Sequence, residues 1–413
     1  MKPIPAAQFL LYLLAKMSLK FIQMGLLVGG LLPVYMSGAQ TVSKIAAGGS
    51  HSLFIKSDGS LWAMGYNFNG QLGDGTFNDT NRPDQIVTSG VIGIAAGSSH
   101  SLFIKSDGSL WAMGYNYFGQ LGDGTFNDTN RPDQIVATNV TAITAGRYHS
   151  LFLKGDGSLW AMGNNLYGQL GDGTFDNINV PEQIVASNVT AVACGFLHSL
   201  FLKGDGSLWA MGNNFNGQLG DSTFDNVNVP EQIVPTNVTA IAAGRYHSLF
   251  LKGDGSLWAM GRNDFGQLGD GTFDNVNVPE QIVASNVTAI AGGFSHSLFL
   301  KSDDTLWAIG NNNFGQFGDG THNTTNRPEQ IRINPTIALT SLSSAGTNIV
   351  LCGYTEVSGT PVYVLTSTSL ALPKNQWLPV ASNIFSAIGN FTLTLTNAVN
   401  LNTPQRFYIM QSP

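Results

Sequence analysis

Short apolar runs alternate with turns along most of this chain. The runs L-F-L and L-W-A-M are apolar without interruption, which indicates strands that are covered on both faces. Asp156-Gly157 lies between two such runs and has the composition of a tight hairpin turn. Pro181 marks an edge strand, because proline cannot donate to a sheet ladder. The pattern predicts four strands in one unit, at residues 140–145, 149–154, 158–162 and 181–185.

The same unit recurs six times at a pitch of 49 residues. Its copies are marked by one histidine each, at His51, His100, His149, His198, His247 and His296. A β-rich repeat of about 40–50 residues is typical of propeller blades. We therefore predict an all-β propeller whose blades close into a ring, with copy six beside copy one, so that only short edges stay exposed.

Four motifs follow one another in fixed order in each unit: G-x-x-H-S-L, D-G-S-L-W-A-M-G, N-x-x-G-Q-L-G-D-G-T and P-E-Q-I. Over residues 43–332 they resemble the repeat of the regulator of chromosome condensation (RCC1) family. The resemblance implies a β-propeller, usually of seven blades, in which the chain ends can complete one blade. Because residues after 332 do not carry the motifs, we expect six blades, with seven as the alternative.

Composition and charge narrow the possible functions. The 413-residue chain has 49 glycines and only 11% charged residues, which suits short strands joined by turns. Its net charge of −7 argues against a nucleic-acid surface. Of its two cysteines, Cys194 replaces a small residue of the repeat and is expected to be buried, and Cys352 lies near the C-terminus. We predict no disulfide framework, no metal site and no cofactor.

The two ends of the chain lie outside the repeat. Residues 1–39 place an apolar run after Lys16 and Lys20 and end in S-G-A, the order of a secretory signal peptide. An uncleaved anchor is the alternative. Residues 337–413 contain β-rich runs separated by Gly and Pro turns and predict a small antiparallel β-sandwich. This region is similar to C-terminal modules of secreted proteins from environmental bacteria, which implies export or surface attachment.

Most recurring polar and aromatic residues of the repeat have structural interpretations. Each histidine begins a strand, where a ring nitrogen can bond the backbone of its own blade, and metal binding or catalysis is the less favoured alternative. The recurring tryptophans, such as Trp160, are assigned to the core because of their large area. The G-D-G-T segments, such as the one around Asp172, are assigned to turns, since they lack the acidic spacing of a calcium loop.

A few positions vary between otherwise near-identical copies. They lie between Gly and His and again after the third strand, and their side chains are mostly Tyr, Phe and Arg, which are common at interfaces. Drift on unconstrained loops is the alternative explanation. The predicted partner-binding residues are Arg147, Tyr148, Phe196, Leu197, Arg245, Tyr246, Phe294, Tyr115, Tyr117, Tyr167, Arg262 and Phe265.

Three functions are compatible with such a chain. The resemblance implies guanine-nucleotide exchange on a small GTPase, for which family members carry acids between Gly and His, and no copy here has one. An enzyme is disfavoured, because identical repeats rarely supply an asymmetric acid–base pair. We therefore expect a secreted or cell-surface, non-catalytic scaffold. It should be a monomer that binds a protein or glycan, with no nucleic-acid partner and no membrane span after signal cleavage.

The signal-peptide hypothesis predicts the start of the mature chain. Cleavage after Ala39 should give a protein whose first residue is Gln40, and N-terminal sequencing of exported protein checks this. Recovery of the intact chain from the cytoplasm would contradict it.

Overall fold

The computed structural model describes residues 40–331, 337–345, 348–355, 361–367, 378–384, 389–395 and 407–411. The predicted signal peptide lies outside these residues. The repeats form one compact unit that ends at Ile331.

This unit contains six sheets, each of four antiparallel strands in chain order, and every sheet is one blade. Blades one and two comprise β1 Val42–Ala47, β2 His51–Lys56, β3 Leu61–Gly65, β4 Thr80–Val87, β5 Val91–Ala96, β6 His100–Lys105, β7 Leu110–Gly114 and β8 Thr129–Val136. Blades three and four comprise β9 Val140–Ala145, β10 His149–Lys154, β11 Leu159–Gly163, β12 Ile178–Val185, β13 Val189–Cys194, β14 His198–Lys203, β15 Leu208–Gly212 and β16 Val227–Val234. Blades five and six comprise β17 Val238–Ala243, β18 His247–Lys252, β19 Leu257–Gly261, β20 Val276–Val283, β21 Val287–Gly292, β22 His296–Lys301, β23 Leu306–Gly310 and β24 Thr325–Ile331. The all-β fold and the four strands per repeat are confirmed.

The hairpin between the second and third strands forms at the D-G sequence. In blade three, the amide of Gly157 donates to the carbonyl of Lys154 at 2.9 Å, and Gly157 adopts a φ of 77°. Its carbonyl accepts from the amide of Val189 in the next blade at 2.9 Å. A Cβ on Gly157 would lie 2.9 Å from the backbone nitrogen of Asn188. The turn favours glycine, and the neighbouring blade leaves no room for a side chain at Gly157. The last repeat keeps the same turn with Asp304, at a φ of 63°.

The hydrophobic core lies between blades. One cluster joins Leu151 and Leu159 of blade three to Phe201 and Met211 of blade four, and all four side chains are fully buried. Equivalent clusters join each of the other consecutive pairs. A single blade therefore cannot bury its own apolar face, and its neighbour provides the covering surface.

Each of the first five repeat histidines bonds to a serine of the following blade rather than to the backbone of its own. The ring Nε2 atoms lie 2.9–3.1 Å from the serine Oγ atoms in the pairs His51–Ser101, His100–Ser150, His149–Ser199, His198–Ser248 and His247–Ser297. The structural role of these histidines is confirmed, but the expected bond to their own blade is wrong.

The serine determines the tautomer of the histidine. Ser150 Oγ donates its one proton to the carbonyl of Gln120 at 2.8 Å, so Nε2 of His100 must donate to Ser150. Nδ1 of His100 is buried without a partner. Burial, with a smaller contribution from the nearby His51, lowers the pKa of His100 to about 3. The imidazole is therefore neutral and is used for structure.

The repeat tryptophans are half-buried and pack against the core clusters, so their assignment to the core is confirmed only in part. Trp160 stacks on Phe152 at a centroid distance of 6.0 Å, and Lys154 Nζ lies over the Trp160 ring, 3.9 Å from its centroid. Its Nε1 donates to Ser158 Oγ at 2.8 Å. The fully buried aromatic residue of this blade is Phe152. Trp160 therefore packs against the core and also meets a cation over its ring.

The first and last blades do not pack on each other. Val42 of blade one is 55% exposed, whereas the equivalent Val91 is 3% exposed. Leu300 of blade six is 39% exposed, whereas the equivalent Leu251 is 4% exposed. Within the described residues, His296 lacks the serine bond that the other five repeat histidines form. Six blades are confirmed, but the expected placement of copy six beside copy one is wrong.

The described C-terminal strands form two three-stranded antiparallel sheets. The strands are β25 Ile337–Ala345, β26 Asn348–Thr355, β27 Pro361–Ser367, β28 Leu378–Ile384, β29 Gly389–Leu395 and β30 Phe407–Gln411. The sheet orders are β25-β26-β29 and β28-β27-β30. Leu351 and Val364, on the two central strands, are buried. The predicted β-rich region is confirmed, and its sandwich arrangement stays a prediction.

One blade departs from the repeat at a position that needs a left-handed backbone. Ser222 has a φ of 73°, whereas the equivalent Gly173 has a φ of 87°. Ser222→Gly should raise the free energy of unfolding by about 0.5–1 kcal/mol, because it removes the strain of a side chain in this region. A Cβ on Gly173 would meet only Val229 Cγ1 at 3.9 Å, so Gly173→Ser is a matched reverse change. Denaturant unfolding of both variants checks this, and shifts of the same sign would contradict it.

The buried histidines predict a loss of stability in acid. The pKa is lowered by burial to about 4 for His51 and to about 3 for His100, His149, His198 and His247. The unfolded chain binds these protons near pH 6.5, so unfolding takes up protons below that pH. The free energy of unfolding should therefore fall as pH decreases from about 6.5 to about 3, by up to about 1.4 kcal/mol per pH unit for each histidine.

Unfolding titrations between pH 7.5 and 4 measure this slope. His198→Gln keeps a donor for Ser248 but removes one titrating group. The free energy of unfolding of this variant should therefore depend less steeply on pH, by the equivalent of about one proton taken up on unfolding. An unchanged slope in this variant would contradict the assignment.

Candidate functional site

Both groups of variable residues lie at the same end of each blade. In blade three, the amide of Asn164, after the third strand, donates to the carbonyl of Tyr148, between Gly and His, at 2.8 Å. The same bond joins Arg262 to Tyr246 in blade five at 2.8 Å. We call this end of the propeller the loop face; it comprises the segments between Gly and His and those after each third strand.

Neighbouring blades are joined along the loop face by backbone bonds. The amide of Arg147 donates to the carbonyl of Phe196, and the amide of Phe196 donates to the carbonyl of Arg245, both at 3.1 Å. The amide of Arg245 in turn donates to the carbonyl of Gly293 at 3.1 Å. These bonds bring side chains that are about 50 residues apart in the sequence into contact.

Arg147 is held between two aromatic rings of different blades. Its guanidinium carbon lies 4.5 Å from the ring centroid of Tyr148 and 4.4 Å from that of Phe196. Tyr148 extends the contact into blade two, with centroids 5.6 Å from Tyr115 and 4.9 Å from Phe118. Burial raises the pKa of Tyr115, and the neighbouring Tyr148 raises it further, which keeps the phenol protonated.

Arg245 has the same loop position as Arg147 and more aromatic contacts. Its guanidinium carbon lies 3.9 Å from the ring centroid of Phe294, 4.4 Å from Phe196 and 4.9 Å from Tyr246. Its Nε atom is buried without a hydrogen-bond partner. No carboxylate of the described residues lies within ion-pair distance of this guanidinium.

Arg262 differs because a neighbouring acid neutralises it. Its Nε and Nη2 atoms donate to the two carboxylate oxygens of Asp264, each at 2.5 Å. This hydrogen bonding to Asp264 raises the pKa of Arg262. The guanidinium also lies 5.8 Å from the ring centroid of Tyr246 and 5.9 Å from that of Phe265.

These contacts form a continuous series from blade two to blade six, which we call the aromatic–arginine ladder. Its members are Tyr115, Tyr117, Phe118, Arg147, Tyr148, Phe196, Arg245, Tyr246, Arg262, Phe265 and Phe294.

At its blade-five and blade-six end, the ladder borders a cleft of about 500 Å³. The cleft is lined chiefly by Arg245, Arg262, Phe265, Phe294, Phe314 and Gln316.

The recurring acidic and amide side chains form hydrogen bonds within their own loops. Asn165 donates from Nδ2 to Asp172 Oδ1 at 2.9 Å and accepts from the amide of Leu170 at 3.0 Å. Asp172 also accepts from the amide and the hydroxyl of Thr174, at 2.9 and 2.8 Å. The turn assignment of the G-D-G-T segments is confirmed. Across the described part of the chain, no group of three or more His, Cys, Asp or Glu side chains could hold a metal ion.

Family comparisons agree with the repeat and the fold. The RCC1-like domain family matches residues 31–235, and RCC1 repeat families match residues 254–300, 238–267 and 287–316. The chain belongs to the RCC1 repeat family. No significantly similar relative is found among curated proteins.

Solved RCC1-like structures share the fold. Human WBSCR16 is 25% identical with a TM-score of 0.65, and the match covers 74% of this chain and 84% of that one. Prp20p from Saccharomyces cerevisiae, described with its binding to Gsp1p and histones, is 25% identical with a TM-score of 0.62, covering 70% and 77%. Yeast RCC1 (Prp20) bound to Kap60 is 24% identical with a TM-score of 0.64, covering 74% and 78%.

Ten of the twelve residues predicted from the RCC1 repeats belong to the ladder. Of these, Tyr117 and Phe294 are the most accessible, with 66% and 58% of their surface exposed. Tyr167 lies apart and meets Phe215 edge-on at 5.8 Å. Leu197 is only 9% exposed and offers little area to a partner.

The predicted set omitted Phe118, Phe314 and Gln316. Phe118 and Phe314 precede the G-Q sequence at the same repeat position as Phe265, which was selected, so the register of the repeat could have identified both. Gln316 recurs in every copy and carried no such signal. Within the described residues, no helix is present that could span a bilayer.

Proposed function

We propose that this RCC1-repeat protein is an exported, non-catalytic scaffold that binds a protein partner through the loop face. The aromatic–arginine ladder is the observation that carries the proposal. It places aromatic and guanidinium groups side by side across five blades, and it ends beside a cleft. Tyr and Arg are the residue types enriched among binding hot spots.

The geometry of the ladder suits contact with a protein. Its side chains are partly ordered before binding, because each guanidinium is stacked on rings, so less conformational entropy is lost when a partner docks. Tyr117, Phe294 and the nearby Phe314, which is 89% exposed, extend beyond this ordered base. Accessible aromatic side chains on an ordered base are typical of interface anchors.

The use of titratable groups supports a non-catalytic role. The repeat histidines that bond serine are buried and neutral, and Asp172 and its equivalents are bonded within their turns. Asp264 is paired with Arg262. The ladder itself thus presents stacked cations and rings but no acid and base side by side, which acid–base chemistry needs.

Export is supported by the sequence of residues 1–39, and the β-rich C-terminal region is similar to modules of secreted bacterial proteins. The protein is therefore proposed to act outside the cytoplasm. Exchange-factor activity on a small GTPase is less favoured. Gsp1p binding belongs to Prp20p, and the six segments between Gly and His in this chain hold no acid.

Affinity capture from culture fluid and envelope of the source organism tests the proposal. The bait is the full chain, and captured proteins are identified and then measured with purified components. Tyr117→Ala and Phe294→Ala should each weaken the partner's Kd by about 30-fold or more, as expected for anchors worth about 2 kcal/mol. Their stability should change by less than about 0.5 kcal/mol, because both side chains are exposed.

Phe175→Ala and Phe224→Ala are matched controls, since these rings are 49% and 47% exposed and lie outside the ladder. The controls should bind normally. Equal binding by all four variants, or equal loss in all four, would contradict the assignment of partner binding to the aromatic–arginine ladder.

A further inference from the structure

We infer that the cleft beside Arg245 receives a carboxylate of an acidic protein segment that carries an apolar neighbour. This inference rests on the protein-binding function proposed above and specifies the chemistry of the contact. It follows from the unused charge of one arginine and from the apolar walls around it.

Arg245 carries the only arginine charge of the cleft that is not neutralised. Arg262 is paired with Asp264, whereas the described residues offer Arg245 neither an ion-pair partner nor a side-chain hydrogen bond. Its Nε atom is buried and unpartnered, an unfavourable state for a charged donor. An acceptor bound at the other N–H groups of this guanidinium would offset part of this cost, because the charge is shared over the whole group.

The side-chain amide of Gln316, in the wall of the cleft, is already engaged. Gln316 Oε1 accepts from the amide of Phe314 at 2.8 Å, and its Nε2 donates to Asn311 Oδ1 at 3.0 Å. Ser295 and Asn311 also line the cleft and are neutral, so the free charged donors for a ligand belong to Arg245. Phe265, Phe294 and Phe314 supply apolar walls. A free guanidinium between aromatic rings is complementary to a ligand that carries one anionic group next to an apolar group.

A carboxylate satisfies these conditions better than a multiply charged anion. The planar guanidinium fits both oxygens of a carboxylate in a bidentate arrangement. The chain has a net charge of −7, which disfavours polyanions. An acidic side chain or a chain terminus next to an apolar residue supplies the required pair of groups on a protein.

Arg147 provides a matched control within the same chain. It has the same loop position and is stacked between Tyr148 and Phe196, at 4.5 and 4.4 Å. It does not line the cleft. Arg147→Gln therefore removes one positive charge from the loop face, whereas Arg245→Gln removes the guanidinium of the cleft. Comparison of the two variants separates these effects.

The probe is phenylacetate, and phenylacetamide is its neutral counterpart. Saturation-transfer NMR on the full chain should detect phenylacetate with a Kd of about 1 mM, as expected for so small a ligand. Arg245→Gln should weaken it about 10- to 100-fold, the range for losing a hydrogen bond to a charged group. Arg147→Gln should bind phenylacetate as the parent protein does. The parent protein should bind phenylacetamide at least about 10-fold more weakly than phenylacetate. Thermal unfolding confirms that both variants fold.

Several outcomes overturn the inference. These are no phenylacetate binding, equal binding of the amide, and equal weakening by both arginine variants. Inorganic phosphate or glucuronate binding in preference to phenylacetate, with loss in Arg245→Gln, would assign the cleft to a phosphate or an acidic glycan instead. A captured partner that depends on Tyr117 but not on Arg245 would leave the scaffold function intact while removing the cleft from it.

Discussion

Packing between consecutive blades is the interaction on which the rest of this structure depends. Each blade has its apolar face covered by the next, as Leu151 and Leu159 are covered by Phe201 and Met211. The histidine–serine bonds follow the same direction, from one blade to the next. Every internal blade is therefore stabilised from both sides, and the first and last are each stabilised from one. The exposure of Val42 and Leu300 is the direct consequence of this arrangement.

The parts of the fold that could be predicted are those that nearby residues determine. Apolar runs and the Asp156-Gly157 turn determine the strands and hairpins, because turn geometry and strand burial are local properties. The partner of each histidine could not be predicted, because identical repeats offer the same serine in its own blade and in the next. The prediction that copy six lies beside copy one was wrong for a related reason, because the repeat sequence contains no signal for the angle between blades.

The candidate site could be predicted in part. Comparison of the copies selected Arg147 and Arg245 together, because both precede a tyrosine in the same motif. The structure separates them by their neighbours: Arg147 faces Phe196 and Tyr148, whereas Arg245 also meets Phe294 and borders a cleft. Such a difference depends on the adjoining blade. A list of variable positions along one chain therefore identifies the members of a surface without showing which of them meet.

The cleft lies at blades five and six because no further blade covers the loops of blade six. Gly119 is closely approached by Asn179 of the next blade, so internal loops are covered, whereas the nearest neighbours of Gly315 are its own loop's Thr321 and His322. Phe314, next to Gly315, is consequently 89% exposed. The loop of the last blade thus has a different environment from the same loop in the other blades, because no further blade covers it. Neither Arg245 nor Arg147 has an ion-pair partner among the described residues. Arg245 borders the cleft beside that environment, whereas Arg147 lies between covered blades, and this makes two equivalent residues chemically different.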